Sequence, residues 1–215
     1  MNTLELFAGT QSFSKVAKKL GHNTFTSDYR YFVGTDYQCD IMHFKLDRVP
    51  YKPDIIWASP PCTSFSVSSI GSYYSNERGK YTPKKAETYL GMAYVQKAID
   101  IIKYFNPKYW YLENPRGVLR KLGLMQGFIR HTIWYCQYSD PLGEDHRAKP
   151  TDIWTNDESW IPRPVCKNGN RNCHHQPAPR GSKSGTQGMK DAIERSKIPP
   201  ELFYEILQNI DKRSK

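Results

Sequence analysis

Short apolar runs alternate with stretches of helical apolar spacing along most of the chain. The runs predict strands at 2–8, 23–28, 53–58, 108–114 and 133–138. The helical spacings predict helices at 12–20, 84–104 and 200–210, with a shorter one at 117–125. In the long central helix, the predicted buried face consists of Leu90, Ala93, Tyr94, Ala98, Ile101 and Ile102. Strands that alternate with helices predict an α/β fold with a mostly parallel sheet.

Reactive or polar residues follow three of the predicted strands: Asp28, the Pro60-Pro61-Cys62 turn, and the Glu113-Asn114-Pro115 turn. Ligands of parallel sheets bind at the carboxyl ends of the strands. The two prolines restrict the backbone before Cys62, so its thiolate could act as a nucleophile at this rim, with Glu113 as an acid or base. A packing cysteine and a solvated or helix-capping carboxylate are the alternatives.

Residues 4–13, L-E-L-F-A-G-T-Q-S-F, combine a strand, a glycine turn and a helix start that offers free N–H groups. Such a turn can cradle a nucleotide or cofactor. Only Gly9 stands where a dinucleotide fingerprint has three glycines, so an ordinary β–α turn is the alternative. Asp28 can accept hydrogen bonds from a ribose diol. The sequence contains no phosphate-binding P-loop, which disfavours ATP or GTP hydrolysis.

Charge and cysteine content narrow the class of protein. The 215 residues fit one domain or one domain with a small appendage, and the net charge is +10. This excess favours a nucleic-acid partner, with a merely solubilising surface as the alternative. Five scattered cysteines do not form a disulfide framework. The sequence shows no leader and no run long enough to span a bilayer, which predicts a cytoplasmic protein without membrane contact.

The segment 161–188 is basic and rich in proline and glycine. We interpret it as a surface segment whose candidate DNA contacts are Arg163, Arg171, Arg180 and Lys183; a disordered basic loop is the alternative. Cys166, Cys173, His174 and His175 are ligand types that zinc prefers, but their spacing is not that of a usual zinc finger. Loop packing or nucleic-acid contact would also explain them.

Several motifs, in order, resemble those of the cytosine-C5 DNA methyltransferases. These are F-A-G at 7–9, P-P-C-x-x-F-S at 60–66 and E-N-P at 113–115. Asp40-Ile41 is similar to the family's adenine-contacting pair, residues 137–151 to its Gln…Arg-x-Arg segment, and residues 195–203 to its last motif. The chain therefore resembles a small member of the bacterial or phage type, with a reduced target-recognition region at 156–186.

The resemblance implies a Rossmann-like fold that uses S-adenosylmethionine to methylate C5 of a cytosine flipped out of double-stranded DNA. It implies that Cys62 adds to C6, that Glu113 acts at N3, and that Arg147, with Lys149 as a second candidate, holds the base and its O2. It assigns the cofactor site to Phe7, Ala8, Gly9, Thr10, Asp28, Tyr29, Asp40, Ile41, Pro61, Ser196 and Ile198. With the basic segment, the expected substrate contacts are Ser66, Asn114, Arg116, Lys149, Arg163, Arg180 and Lys183.

The expected organisation is a catalytic core at 1–155, a recognition segment at 156–188 and a C-terminal helix at 189–215 that returns to the core. So short a segment predicts a site of two or three bases, or dependence on a partner. We expect a monomer in the cytoplasm of a bacterium or phage-infected cell. Methylation of RNA, methylation of free nucleotides and non-catalytic DNA binding on a methyltransferase scaffold remain alternatives.

Overall fold

A mostly parallel sheet carries the polar turns that follow its strands. The computed structural model describes residues 1–177 and 191–214. Its strands are β1 (Asn2–Leu6), β2 (Asn23–Asp28), β3 (Tyr37–Gln38), β4 (Ile55–Ala58), β5 (Tyr74–Glu77), β6 (Lys80–Pro83), β7 (Tyr109–Pro115), β8 (Ile129–Trp134) and β9 (Pro150–Thr155). Its α-helices are α1 (Ser12–Lys19), α2 (Ile70–Tyr73), α3 (Ala86–Phe105), α4 (Ala192–Ser196) and α5 (Pro200–Arg213).

The main sheet has seven strands in the order β3-β2-β1-β4-β7-β9-β8, and β5 and β6 form a separate antiparallel hairpin. The pairs from β3 to β7 are parallel, whereas β9 runs antiparallel to both of its neighbours. The predicted α/β fold with a mostly parallel sheet is confirmed. Because β1, β2, β4 and β7 point the same way, the turns that follow them meet at one edge of the sheet.

Alternate residues of the central strands pack against helices on opposite faces of the sheet. Leu4 and Ile56 belong to a core cluster that includes residues of α3, whereas Trp57 packs against α1 and α5. The ring centroids of Trp57 and Phe203 lie 4.8 Å apart in an edge-to-face contact. Burial on both faces explains why these strands are apolar runs without alternating polarity.

Several predicted elements differ from the observed ones. The strand expected at 133–138 is β8, Ile129–Trp134, followed by a 3-10 turn, and the helix expected at 117–125 is two 3-10 turns, Val118–Lys121 and Gly123–Met125. In α3, Leu90 is exposed, while Val95 and Ile99 join the buried face, because the helix is rotated relative to the predicted orientation. None of the helices in the described part of the chain is both long and apolar enough to cross a membrane.

Candidate active site

The loop that carries Cys62 lies beside the end of β7. Cys62 follows β4, whereas Glu113 and Asn114, which were expected in a turn, are among the last residues of the neighbouring parallel strand β7, where they pair with β9. The side chain of Asn114 joins the two segments, since its Nδ2 donates a hydrogen bond to the carbonyl oxygen of Pro60 at 2.9 Å. The structure thus brings the predicted nucleophile and the predicted acid/base residue to the same rim of the sheet.

Gly117 allows the two segments to approach each other closely. Its position forms an isolated antiparallel bridge with Ser66, and the Val118 N–H donates to the carbonyl oxygen of Phe65 at 2.9 Å. A Cβ atom at Gly117 would lie 1.9 Å from that same oxygen. The glycine is therefore required for space rather than for its backbone conformation.

Glu113 is buried and held by the residues around it. Its Oε1 accepts a hydrogen bond from the Tyr135 hydroxyl at 3.0 Å. Burial raises the pKa of the Glu113 carboxyl above its ordinary value, although Lys149 and hydrogen bonds from Tyr135 and Ser59 act in the opposite direction. A carboxyl with a raised pKa can keep a proton near neutral pH and share it with a ligand.

The Cys62 side chain reaches solvent, but protein atoms surround the thiol closely. The surrounding protein displaces enough water to raise the pKa of the thiol. The positive charges of Lys149 and Arg195 lower this pKa, whereas Glu113 raises it further. These electrostatic effects identify the charged groups near the thiol. A ligand that brings positive charge close to Cys62, or that neutralises the negative charge of Glu113, would favour the nucleophilic thiolate.

Lys149 is the cation most closely associated with this pair. Its Nζ donates to the carbonyl oxygen of Arg195 at 2.9 Å and lies 4.6 Å from the ring centroid of Tyr135. Burial lowers the pKa of Lys149, while the charges of Glu113 and Cys62 raise it. Its φ of 25° lies in a region that L-residues rarely adopt, and such strain is often found at functional sites.

Arg147 makes a different set of contacts from those predicted. Its Nε and Nη2 donate to the two carboxylate oxygens of Asp145 at 2.7 and 2.5 Å. Its remaining donors bond to the backbone carbonyls of Glu194, Arg195 and Lys197 at 2.9–3.1 Å. Because a guanidinium has five N–H groups, these contacts use its full donor capacity. In this structure Arg147 fastens the segment 194–197 and has no donor left for a base.

A cleft of about 310 Å³ opens next to the Cys62 loop. Six of the predicted cofactor residues line it together with three others: Phe7, Asp28, Tyr29, Asp40, Ile41 and Pro61, with Ser27, Cys39 and Tyr94. Aromatic and aliphatic surfaces suit an adenine ring, while the two carboxylates are acceptors for ribose hydroxyls and an exocyclic amine. The chemistry of this lining therefore fits an adenosyl cofactor.

The glycine turn between β1 and α1 forms one wall of the site. Gly9 has a φ of 47° and donates its N–H to Asp28 Oδ2 at 2.8 Å, which ties the turn to the end of β2. The expectation that α1 offers free N–H groups is wrong for Phe13 and Ser14, whose amides donate to the buried carboxylate of Glu5. Burial raises the pKa of Glu5 to about 7.

The other predicted cofactor residues do not line the cleft. Ala8 and Thr10 belong to the turn before α1. Ile198 is buried in the same cluster as Phe13, and Ser196 donates from its hydroxyl to the backbone at the end of α4. These residues support the turn or the C-terminal segment rather than the cleft itself.

The predicted substrate residues divide into two groups. Ser66, Asn114, Arg116 and Lys149 lie at or beside the Cys62 rim, where Arg116 is exposed over the Trp134 ring. Arg163 instead forms an ion pair with Glu205 of α5 at 2.7 Å and stacks on Tyr138. Arg180 and Lys183 lie outside the described residues.

A second cluster of reactive side chains includes neither Cys62 nor Glu113. One ligand atom from each of Cys136, Cys166, Cys173 and His175 falls within 4.8 Å of the others. Of the four residues singled out in the sequence, His174 is left out, since its Nε2 lies 3.1 Å from the Ser139 hydroxyl. Cys136 takes its place in the cluster.

Sequence reasoning missed three residues with clear structural roles. Tyr135 bonds to Glu113, Tyr94 lines the cleft, and Cys136 completes the second cluster. The sequence predicts Tyr94 on the apolar face of α3, but it does not predict that this residue lines the cleft. The sequence carried no signal for the other two, because residues far away along the chain define their environments.

Comparisons with known proteins identify the family of this chain. A family model described as C-5 cytosine-specific DNA methylase matches residues 1–124. A protein of Frog virus 3 named "Probable DNA (cytosine-5)-methyltransferase" is 31% identical over 230 residues, which cover 96% of this chain and 99% of the relative.

Solved structures give a fold-level match. A putative DNA modification methyltransferase from an E. coli prophage superposes with a TM-score of 0.50 at 12% identity, covering 78% of this chain and 52% of its own. The S. pombe Dnmt2 methyltransferase has a TM-score of 0.44 at 11% identity, covering 72% and 48%. This chain thus spans about half the length of these two structures. From the family model and the viral relative, the chain belongs to the C-5 cytosine-specific DNA methylase family and is a DNA (cytosine-5)-methyltransferase, a class of enzyme that uses S-adenosylmethionine.

Proposed function

We propose that this methyltransferase acts through a covalent adduct between Cys62 and C6 of a cytosine flipped out of double-stranded DNA. One observation carries the proposal. The hydrogen bond between Asn114 and Pro60 holds the Cys62 loop against the end of β7, so that the accessible thiol of Cys62 lies beside the buried carboxyl of Glu113 and the ammonium of Lys149. Unaided cytosine is a poor carbon nucleophile at C5. A thiolate that adds to C6 turns C5 into an enamine carbon, which is nucleophilic.

Each residue has a defined proton or charge to handle. The Cys62 thiolate forms the C6–S bond, and the electron pair of the C5–C6 double bond shifts towards N3. Protonated Glu113 donates a hydrogen bond or a proton to N3, which its raised pKa favours. After methylation, loss of the C5 proton to a base returns electrons to the ring, expels the Cys62 thiolate and restores Glu113.

We assign the cation at the base to Lys149 in place of Arg147. Lys149 is electrostatically coupled to both Cys62 and Glu113, whereas the donors of Arg147 are occupied by the protein. An ammonium can donate to the cytosine O2 and lowers the pKa of the adjacent thiol. In this proposal Arg147 is a positioning residue that fixes the segment next to Lys149.

The cleft beside Pro61 is the proposed cofactor site. S-adenosylmethionine supplies an electrophilic methyl group on a sulfonium. Asp28 and Asp40 would accept hydrogen bonds from the ribose and the adenine, while Phe7 and Ile41 provide apolar contact. Pro61 belongs to both the cleft and the Cys62 loop, so a methyl donor bound there would lie next to the base.

DNA reading falls to the segment 156–188, as a short recognition site of two or three bases. The described part of this segment contains exposed cations such as Lys167 and Arg171. Arg163 is excluded from this role by its ion pair with Glu205. Core residues 1–155 would then perform the chemistry, and residues 189–215 would return to support it.

The adduct is tested with DNA that carries 5-fluorocytosine, whose C5 substituent cannot leave as a proton. Wild-type protein with S-adenosylmethionine should form a denaturant-stable protein–DNA adduct that includes the transferred methyl group. Cys62→Ala should form none, and Glu113→Gln should form it about 100-fold more slowly. The matched control is Ser72→Ala, at an exposed position of α2.

Two outcomes would contradict the proposal. One is methylation of ordinary DNA without any trapped adduct, and the other is an equal yield of adduct from Cys62→Ala. The same assay with a matched RNA duplex distinguishes the substrate. Faster adduct formation on RNA would refute DNA as the preferred substrate while keeping the chemistry.

A further inference from the structure

We propose that Cys136, Cys166, Cys173 and His175 form a structural zinc site. Three thiols and one imidazole are brought together from two separate parts of the chain, the end of β8 and the loop 166–175. The ligand atoms all lie within 4.8 Å of one another. Three thiolates and a histidine are a common ligand set for tetrahedral structural zinc.

The spacing of the ligand atoms is compatible with this geometry. A tetrahedral zinc with Zn–S bonds of about 2.3 Å and Zn–N bonds of about 2.0 Å separates its ligand atoms by roughly 3.5–3.8 Å. Cys166 Sγ lies 3.7 Å from His175 Nδ1. Only small side-chain movements are needed to bring all four ligands onto one ion.

Neighbouring amides stabilise sulfur ligands in the same cluster. Gln137 Nε2 approaches the sulfurs of Cys136 and Cys173 at 3.7 and 3.8 Å, and Asn170 Nδ2 approaches that of Cys166 at 3.4 Å. Side-chain amides that point at sulfur stabilise thiolate charge, and such outer partners orient metal ligands. Cysteines that served only to fill space would not need these donors.

His175 is also poorly explained as a packing residue. It is 4% exposed, and its Nε2 is buried without a hydrogen-bond partner among the described residues. Its other ring nitrogen faces the Cys166 thiol, a weak partner. Nδ1 is the ring nitrogen that faces this thiol, so a bond from Nδ1 to a metal would replace this weak contact with a strong one.

The loop between Cys166 and Cys173 consists of tight turns that bring its two ends together. Gly169 has a φ of 72°, and the backbone hydrogen bonds from Asn170 to Lys167 and from Cys173 to Asn170 close two successive turns. These turns direct Cys166 and Cys173 back towards Cys136. Zinc would then fasten the loop 166–175 to the sheet edge in a region where the described residues form neither helix nor strand.

Binding releases protons and couples the metal to the order of the loop. Three thiols lose their protons as three S–Zn bonds form, while neutral His175 supplies the fourth bond. The ion replaces a hydrophobic core that so short a loop cannot build for itself. The loop should therefore open when zinc is removed, while the sheet remains folded.

The first test measures the zinc content of the purified protein by elemental mass spectrometry. We expect about one zinc per chain, lost in Cys166→Ser and Cys173→Ser. The matched control is Cys39→Ser, because Cys39 is a free, partly buried cysteine outside the cluster. No substrate is involved, so a failure here is distinguishable from failure of the proposed catalysis.

The second test remains informative if the serine variants do not fold. Chelator-treated wild-type protein is titrated with Co²⁺, and we expect the d–d spectrum of tetrahedral cobalt together with sulfur-to-cobalt charge transfer. His175→Cys should retain cobalt with a stronger charge-transfer band. Chelation should also speed trypsin cleavage at the exposed Lys167 and Arg171. Protein that lacks zinc after growth in zinc-supplemented medium and gives no thiolate–cobalt band would overturn the proposal, as would a disulfide between these cysteines.

Discussion

Replacement of Gly117 by alanine should separate the two loops of the active site. The added Cβ would lie 1.9 Å from the carbonyl oxygen of Phe65, and contacts below 3.0 Å essentially never occur. The difference, 3.0 − 1.9, requires a displacement of at least 1.1 Å. The oxygen belongs to the backbone and cannot rotate away, so the Cys62 loop and the Gly117 segment must move apart.

The magnitude follows from two contributions. Overpacking costs about 1–3 kcal/mol, and loss of the hydrogen bond from Val118 to Phe65 costs about 1 kcal/mol. For a chain of this size, the sum lowers the melting temperature by roughly 5–15 °C. A displacement of about 1 Å between reacting groups reduces the rate about 100-fold.

The assay is single-turnover methyl transfer at a temperature where both proteins are folded, together with thermal unfolding. Gly123→Ala is the matched control, because its Cβ would meet nothing within 4 Å on the same connecting segment. If Gly117→Ala transfers methyl groups as fast as Gly123→Ala does, the two loops are not held in register by this contact and the reasoning fails. A loss of stability without a loss of rate would refute the catalytic part alone.

Two further predictions concern ionisation. Burial raises the pKa of Glu5 to about 7 from 4.5, so the contribution of Glu5 to stability is present below about pH 4.5 and is lost as the pH rises through 7. Between pH 4 and 8, the free energy of unfolding in urea should therefore fall by up to about 3 kcal/mol more in the wild-type protein than in Glu5→Gln. Equal decreases in the two proteins would contradict this. Lys149→Met removes a charge that lowers the pKa of Cys62, so the pH profile of adduct formation should move to higher pH, with partial recovery in Lys149→Arg. An unchanged profile in Lys149→Met would rule out this role for the ammonium.

The strands buried on both faces could be predicted, but β9 could not. β9, Pro150–Thr155, is almost entirely buried, yet it includes polar residues. Asp152 is buried because Arg120 pairs with it and Thr132 donates to it. A sequence pattern counts a buried, paired carboxylate as an exposed residue. The sequence of β9 therefore does not show the apolar run that would predict a buried strand. The hairpin of β5 and β6 was missed for a related reason, since most of its residues are exposed or only partly buried.

The candidate site was predictable where the residues follow strand ends and unpredictable where side chains meet across the fold. Cys62 and Asp28 could be placed from strand-to-turn transitions alone, and Glu113 could be placed at the correct end of its strand although it lies within β7 rather than in the turn. The role of Arg147 could not, because its acceptors are backbone carbonyls that lie far along the chain in 194–197. Sequence motifs identify the residue types at a site, but they do not say which donors the protein itself already uses.

The contacts of Arg147 have a consequence for how this enzyme can diverge. The guanidinium of Arg147 donates hydrogen bonds to the main-chain oxygens of Glu194, Arg195 and Lys197. These hydrogen bonds do not depend on the side chains, so substitutions of Glu194 and Lys197 would remove their mutual ion pair and leave the contacts with Arg147 in place. Directed evolution could randomise these two positions while the neighbouring Lys149 and the positive charge of Arg195 near Cys62 are retained.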